Sequence, residues 1–159
     1  MCQRLYIASR EPLRLLKKTK HEPYLEVRPL DEVGTPVRRH FRKEFEHLYV
    51  AGAHAPCGCG FPEHPSGEHQ KAAKIAQEDR LTMQRLHQYL RPIVGKRPRV
   101  QLYLCWWGDE DEKPEHEREM RLGELSDPLF RFRRLEILAV RRGGVEQGLA
   151  PGARKDGRG

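Results

Sequence analysis

The sequence lacks a long hydrophobic run. A membrane-spanning helix needs about 20 consecutive apolar residues, and polar or charged residues interrupt every apolar stretch of this 159-residue chain. The start, Met1-Cys2-Gln3-Arg4, also lacks the apolar stretch of a signal peptide. These two absences predict a soluble, cytoplasmic protein with no membrane partner.

Cysteine is scarce as well, with four residues in the whole chain. In the reducing cytosol, so few thiols are more readily metal ligands, catalytic groups or free side chains than parts of a disulfide framework. Only 37% of the residues are hydrophobic, so the core must come from a few strongly patterned segments. We predict one domain over residues 1–142, followed over 143–159 by a disordered tail that contains glycine and arginine.

Three segments repeat a short apolar pattern around a Leu-Tyr pair, over residues 3–8, 46–51 and 100–105. Each is rich in β-branched or aromatic residues and precedes turn-forming residues, which is typical of strands. Residues 24–28 and 135–140 are weaker strand candidates.

The longest predicted helix covers residues 68–91, where apolar residues recur at steps of three and four. A shorter helix is predicted over 31–41. A strand, a long helix and a second strand favour a parallel crossover, with strand 47–51 beside strand 100–106. The fold class is therefore α/β: a single small domain with a mixed sheet of four to five strands, one long amphipathic helix and a flexible C-terminal tail.

The strongest chemical signal is the loop that follows the second strand, which carries His54, Cys57, Cys59 and His64. Glycines at 58 and 60 permit tight turns that present both sulfurs from one side. Thiolate and imidazole groups bind zinc tetrahedrally, and iron or copper(I) accepts the same donors. The loop therefore predicts a metal site, with zinc as the expected ion.

Two further cysteines extend this candidate site. Cys105 ends the third strand and is the expected third ligand beside Cys57 and Cys59, and either Cys2 or His54 would complete the set. Cys2 reaches the other thiols only if the first strand runs antiparallel to the 100–106 strand. Four protein ligands would make the metal structural or sensory, since no position is left for a substrate.

An enzyme is the alternative, and the sequence leaves open whether the protein is one. Cys57 and Cys59 would then be reactive thiols, or an open metal position beside Glu63 and His64 would activate a water molecule for hydrolysis. Removal of Met1 would also expose Cys2 as an N-terminal nucleophile, as in glutamine amidotransferases, although Gln3 stands where those enzymes commonly have glycine.

The formal charge of +7 suggests a second alternative, a basic accessory protein of nucleic acid or the ribosome. Non-specific contacts to phosphates would come from residues 38–43 and from the tail. Acidic residues concentrate instead in 108–127, which we predict to be a solvated loop. Alternation along the third strand places Trp106 on the same face as Leu104 and Trp107 on the same face as Cys105. For both rings, packing on the sheet is favoured over stacking on a ligand.

Overall fold

The computed structural model describes residues 2–17, 25–53, 59–64 and 75–143. Within these ranges the chain forms six strands, one α-helix and two short 3-10 helices. The strands are β1 (Gln3–Ser9), β2 (Glu26–Pro29), β3 (His47–Gly52), β4 (Val100–Trp106), β5 (His116–Arg121) and β6 (Glu136–Arg141). The helix α1 covers Gln77–Leu90, and the 3-10 helices cover Thr35–His40 and Leu122–Ser126.

All six strands belong to one sheet in the order β2-β3-β1-β4-β6-β5. Neighbouring strands are antiparallel, except that β5 runs parallel to β6. The predicted class of a small α/β domain with a mixed sheet is confirmed. The predicted number of four to five strands was slightly too low.

The predicted direct pairing of the second and third strong strands is wrong. β3 and β4 do run in the same direction, but β1 lies between them and is antiparallel to both. The burial of β1 explains this order, because its side chains from Arg4 to Ser9 are all buried. A strand that is buried on both faces is stabilised most in the interior of a sheet.

The helix α1 confirms the long amphipathic helix in its C-terminal part. It ends at Leu90, two residues before Pro92, as the proline predicts. The predicted residues 68–74 lie outside the described residues. The helix predicted over 31–41 is instead the 3-10 helix Thr35–His40, in which Pro36 occupies the first turn and only Val37 is buried.

The weaker strand candidates 24–28 and 135–140 correspond to β2 and β6. Tyr24, the first residue of the former candidate, lies outside the described residues. β5 was not predicted, because the segment 108–127 was interpreted as a solvated loop. Within β5 only Met120 is buried, so the alternation that marks a strand in a sequence is missing. The predicted tail lies outside the described residues apart from Gly143.

The sheet separates two clusters of buried side chains. On one face, Leu5, Leu102 and Leu104 pack against α1 in the larger cluster. On the other face, Tyr6, Tyr103 and Cys105 share a smaller cluster with side chains from the segment around the 3-10 helix Thr35–His40. Among the described residues, no helix is long and apolar enough to cross a membrane.

Candidate functional site

Among the described residues, one end of the sheet collects several that the sequence marked for chemistry. β1 begins there, while β3 and β4 end there, because β1 is antiparallel to both. The backbone N–H of Trp107 donates to the carbonyl of Cys2 at 2.8 Å, which extends the pairing of β1 with β4 to this edge. We call this region the thiol end; it comprises Cys2, Gly52, Ala53, Trp106, Trp107 and the loop 59–64.

The loop 59–64 is attached to the thiol end through Glu63. The Glu63 carboxylate accepts hydrogen bonds from the side-chain amide of Gln3 and from the indole N–H of Trp106. On the far side of the loop, the N–H of His64 donates to the carbonyl of Phe132 at 2.8 Å. Phe61 anchors the loop further, because it is buried in the cluster beneath α1.

The structure locates three of the five predicted metal ligands. Cys2 and Cys59 are exposed, and both belong to the thiol end. Cys105 is buried in the core, one residue before the last residue of β4. His54 and Cys57 lie outside the described residues. The antiparallel direction that the sequence analysis required for Cys2 is the direction found.

Cys105 differs from the other described cysteines in its surroundings. Its side chain belongs to the smaller buried cluster, and its exposed fraction is 0%. Burial raises the pKa of the Cys105 thiol to about 12, and the negative charges of Glu110 and Asp109 act in the same direction. Burial therefore favours the protonated thiol, which is not the nucleophilic form.

A buried charged network lies beside Cys105, and the sequence analysis did not predict it. Arg4 is buried within β1, and its guanidinium donates to the carboxylate of Asp31. Its Nη1 lies 3.7 Å from Oε1 of Glu110, which is also buried. Glu110 in turn accepts hydrogen bonds from the hydroxyl of Tyr6 at 3.0 Å and from the N–H of Gly108 at 2.8 Å.

Part of this network was visible in the sequence. An arginine inside an apolar strand must find acidic partners, because an unpaired buried charge is very costly. The identity of those partners was not visible, since Asp31 and Glu110 lie far from Arg4 in the chain. Glu110 is buried rather than solvated, which corrects at this position the prediction of a solvated loop over residues 108–127.

The two tryptophans lie on opposite faces of the sheet, as alternation predicts. Trp106 bonds to Glu63, and the guanidinium of Arg134 lies 4.3 Å from the centre of its ring system. Trp107 is 58% exposed and lies over Arg4, with a distance of 4.8 Å from the guanidinium carbon to the ring centroid. Both rings therefore cover the edge of the sheet by packing on arginine side chains.

A separate groove of about 610 Å³ lies between the 3-10 helix Thr35–His40 and the segment 111–117. The Nε2–H of His40 donates to the carbonyl of Glu110 at 2.9 Å, since a carbonyl can only accept. Burial lowers the pKa of His40 below its usual value, which favours the neutral ring. In the part of the chain that the structure describes, no three His, Cys, Asp or Glu side chains are grouped so that they could hold a metal ion.

No protein family, curated protein or solved structure matches this chain. Only the chemistry of its own residues therefore bears on its function.

Proposed function

We propose that the protein binds one transition-metal ion, zinc by preference, at the thiol end. The ligands are Cys57 and Cys59 from the loop and Cys2 from the start of β1, with the imidazole of His54 as the fourth. The observation that carries the proposal is the antiparallel pairing of β1 with both of its neighbours, which puts Cys2 at the edge where the cysteine loop is attached.

The contacts of the described residues support Cys2 as a ligand. Leu5 pairs with Ala51, so Cys2 lies beyond this pair in the direction in which β3 leaves the sheet. The neighbouring Gln3 holds the loop through Glu63. Cys2 is exposed, so its sulfur is accessible to an incoming ion.

The surroundings of Cys105 support leaving it out of the ligand set. The Cys105 side chain is fully buried, so an ion would have to enter the core to reach its sulfur, and burial also raises the pKa of the thiol. Its side chain is also enclosed by the smaller cluster. Cys2 therefore replaces Cys105 in the set that the sequence suggested.

The proposed ligand set favours a structural or sensory metal over a hydrolytic one. Three thiolates and an imidazole fill a tetrahedron and leave no open position for a reacting water molecule. Glu63, the nearest candidate for a general base, already accepts hydrogen bonds from Gln3 and Trp106. The thiols remain available to a metal only in a reducing compartment, which agrees with the cytoplasmic location expected from the sequence.

Metal content tests this proposal directly. The full chain, purified without chelator, should contain about one equivalent of zinc. The double variant Cys57→Ser/Cys59→Ser should lose the metal, and Cys2→Ser should bind it more weakly by at least about tenfold. The control Cys105→Ala should retain the full equivalent, because this residue lies in the core.

Two results would overturn the proposal. One is a metal-free wild-type protein whose Cys57 is alkylated rapidly, which would indicate thiol chemistry instead. The other is loss of metal in the folded Cys105→Ala variant together with full retention in Cys2→Ser, which would exchange the roles assigned to these two cysteines.

A further inference from the structure

The end of the sheet opposite to the thiol end presents a row of arginines. The backbone N–H of Arg10, just after β1, donates to the carbonyl of Arg99, just before β4, at 3.1 Å. Arg141 at the end of β6 pairs with Arg121 at the end of β5. Four adjacent strands thus each have an arginine at their end or directly next to it, at nearly the same level, with steps of about 4.8 Å between strands.

The loop that joins α1 to β4 adds more positive charge to this row. Arg91, Lys96 and Arg97 are exposed on it, and so is Arg142 after β6. The N–H of Arg142 donates to the carbonyl of Gly95 at 2.7 Å, which fixes the end of β6 against this loop. We call the combined surface the basic end; it comprises Arg10, Arg91, Lys96, Arg97, Arg99, Arg121, Arg141 and Arg142.

The charge of the basic end is only partly neutralised. Three of its arginines have glutamate partners: Arg10 with Glu44 at 3.4 Å, Arg99 with Glu11 at 3.3 Å and Arg141 with Glu119 at 3.4 Å. The other five cations have no ion-pair partner among the described residues. These pairs are partly exposed and therefore weak, so an anionic ligand can compete for the arginines.

We propose that the basic end binds the phosphate backbone of double-stranded nucleic acid without reading its sequence. A surface of clustered cations attracts phosphates, and the release of counterions drives such binding. The residues assigned to this surface come from four strands and one loop. They differ from the segments 38–43 and 143–159 that the sequence suggested.

The lack of apolar anchors favours duplex nucleic acid over other anionic partners. The described residues with large exposed hydrophobic side chains are Leu15, Val33, Trp107 and Leu129, and none of them belongs to the basic end. A protein partner or a membrane surface is usually held by such side chains in addition to charge. Single-stranded nucleic acid would call for exposed aromatic rings to stack on its bases.

The test compares two triple variants with the same change in net charge. Lys96→Gln/Arg97→Gln/Arg142→Gln alters the basic end, whereas Arg80→Gln/Lys113→Gln/Arg133→Gln alters exposed cations elsewhere. Binding of the full chain to fluorescent DNA and RNA duplexes of unrelated sequence is measured by anisotropy over a series of salt concentrations.

The basic-end variant should bind at least about tenfold more weakly, and the slope of log affinity against log salt should become shallower by about 2 to 3. The control variant should stay within about threefold of wild type, and unrelated sequences should bind wild type equally well. Equal losses in both triple variants, no duplex binding at low salt, or binding only to phosphatidylserine vesicles would each overturn the proposal.

This inference is independent of the proposed metal site. The Cys57→Ser/Cys59→Ser variant should bind duplex as wild type does, and the basic-end variant should keep its metal. The metal proposal and the duplex-binding proposal can therefore fail separately, and the two failures are distinguishable.

Discussion

Arg4 is buried within β1 and lies against Trp107 of the thiol end. A guanidinium inside a strand must be paired, and the carboxylates that pair with it come from the segment after β2 and the segment after β4. Burial would raise the pKa of Asp31, but hydrogen bonds from Arg4, the Gly34 N–H and Arg28 outweigh it and lower this pKa to about 2. Asp31 therefore stays ionised at every pH at which the protein is expected to work.

Cys105 should be the least reactive thiol of the chain. Burial raises its pKa to about 12, well above that of an ordinary thiol, so its thiolate form is much rarer at pH 8. After removal of metal, iodoacetamide should label Cys2 quickly and Cys105 only after denaturant is added. Peptide mapping by mass spectrometry measures both rates in the same sample.

The exposed Cys2 serves as the internal control for this experiment, since both thiols meet the same reagent. Labelling of Cys105 in the folded protein at a rate close to that of Cys2 would contradict both the burial of this thiol and its raised pKa.

At the scale of elements, the segment 108–112 owes its shape to one buried carboxylate. Gly108 adopts a φ of 101°, a backbone conformation that residues other than glycine rarely adopt. This turn brings the carboxylate of Glu110 back onto the N–H of Gly108 and toward Arg4. The segment is thus attached to the smaller cluster, since Glu110 accepts from the hydroxyl of Tyr6 and the carbonyl of Glu112 accepts from the hydroxyl of Tyr103.

Replacing Glu110 with alanine should destabilise the protein by about 3–5 kcal/mol, because Arg4 would lose one of its two buried counter-charges. The hydroxyl of Tyr6 and the N–H of Gly108 would lose their acceptor as well. Urea unfolding measures this change in the free energy of unfolding.

Asp111→Ala is the matched control, since it removes an exposed carboxylate from the neighbouring position. It should change the free energy of unfolding by less than about 0.5 kcal/mol. Similar losses in the two variants would show that the buried network around Arg4 does not stabilise the fold.

Local patterns were sufficient to predict β1, β3, β4 and the C-terminal part of α1. β5 could not be found in this way, because its stability comes from backbone pairing with β6 rather than from an apolar face. The pairing order was also beyond the sequence. Nothing local shows that β1 separates β3 from β4, yet this arrangement puts Cys2 at the end of the sheet where β3 and β4 end.

At the scale of the whole molecule, the candidate site was also only partly predictable from local sequence patterns. Sequence spacing identified Cys59 and its loop, the antiparallel direction of β1 puts Cys2 at the same edge of the sheet, and burial distinguishes Cys105 from Cys2. The basic end was not predictable, since its members lie far apart in the chain and only the sheet aligns them.

The fold as a whole should not depend on the proposed metal. Both buried clusters are built mainly from the sheet, α1, the 3-10 helices and the segments next to them, and the loop 59–64 contributes only Phe61. Treatment with a chelator should therefore leave the far-UV circular dichroism and cooperative unfolding unchanged. The melting temperature should fall by about 5–10 °C, the shift expected when a ligand present at roughly 100 times its Kd is removed.

The Cys57→Ser/Cys59→Ser variant is the control, and it should melt at the same temperature with and without chelator. Complete unfolding of the wild-type chain on chelation would mean that the sheet and its two clusters are not stable without the ion, even though nearly all of their buried side chains come from outside the loop.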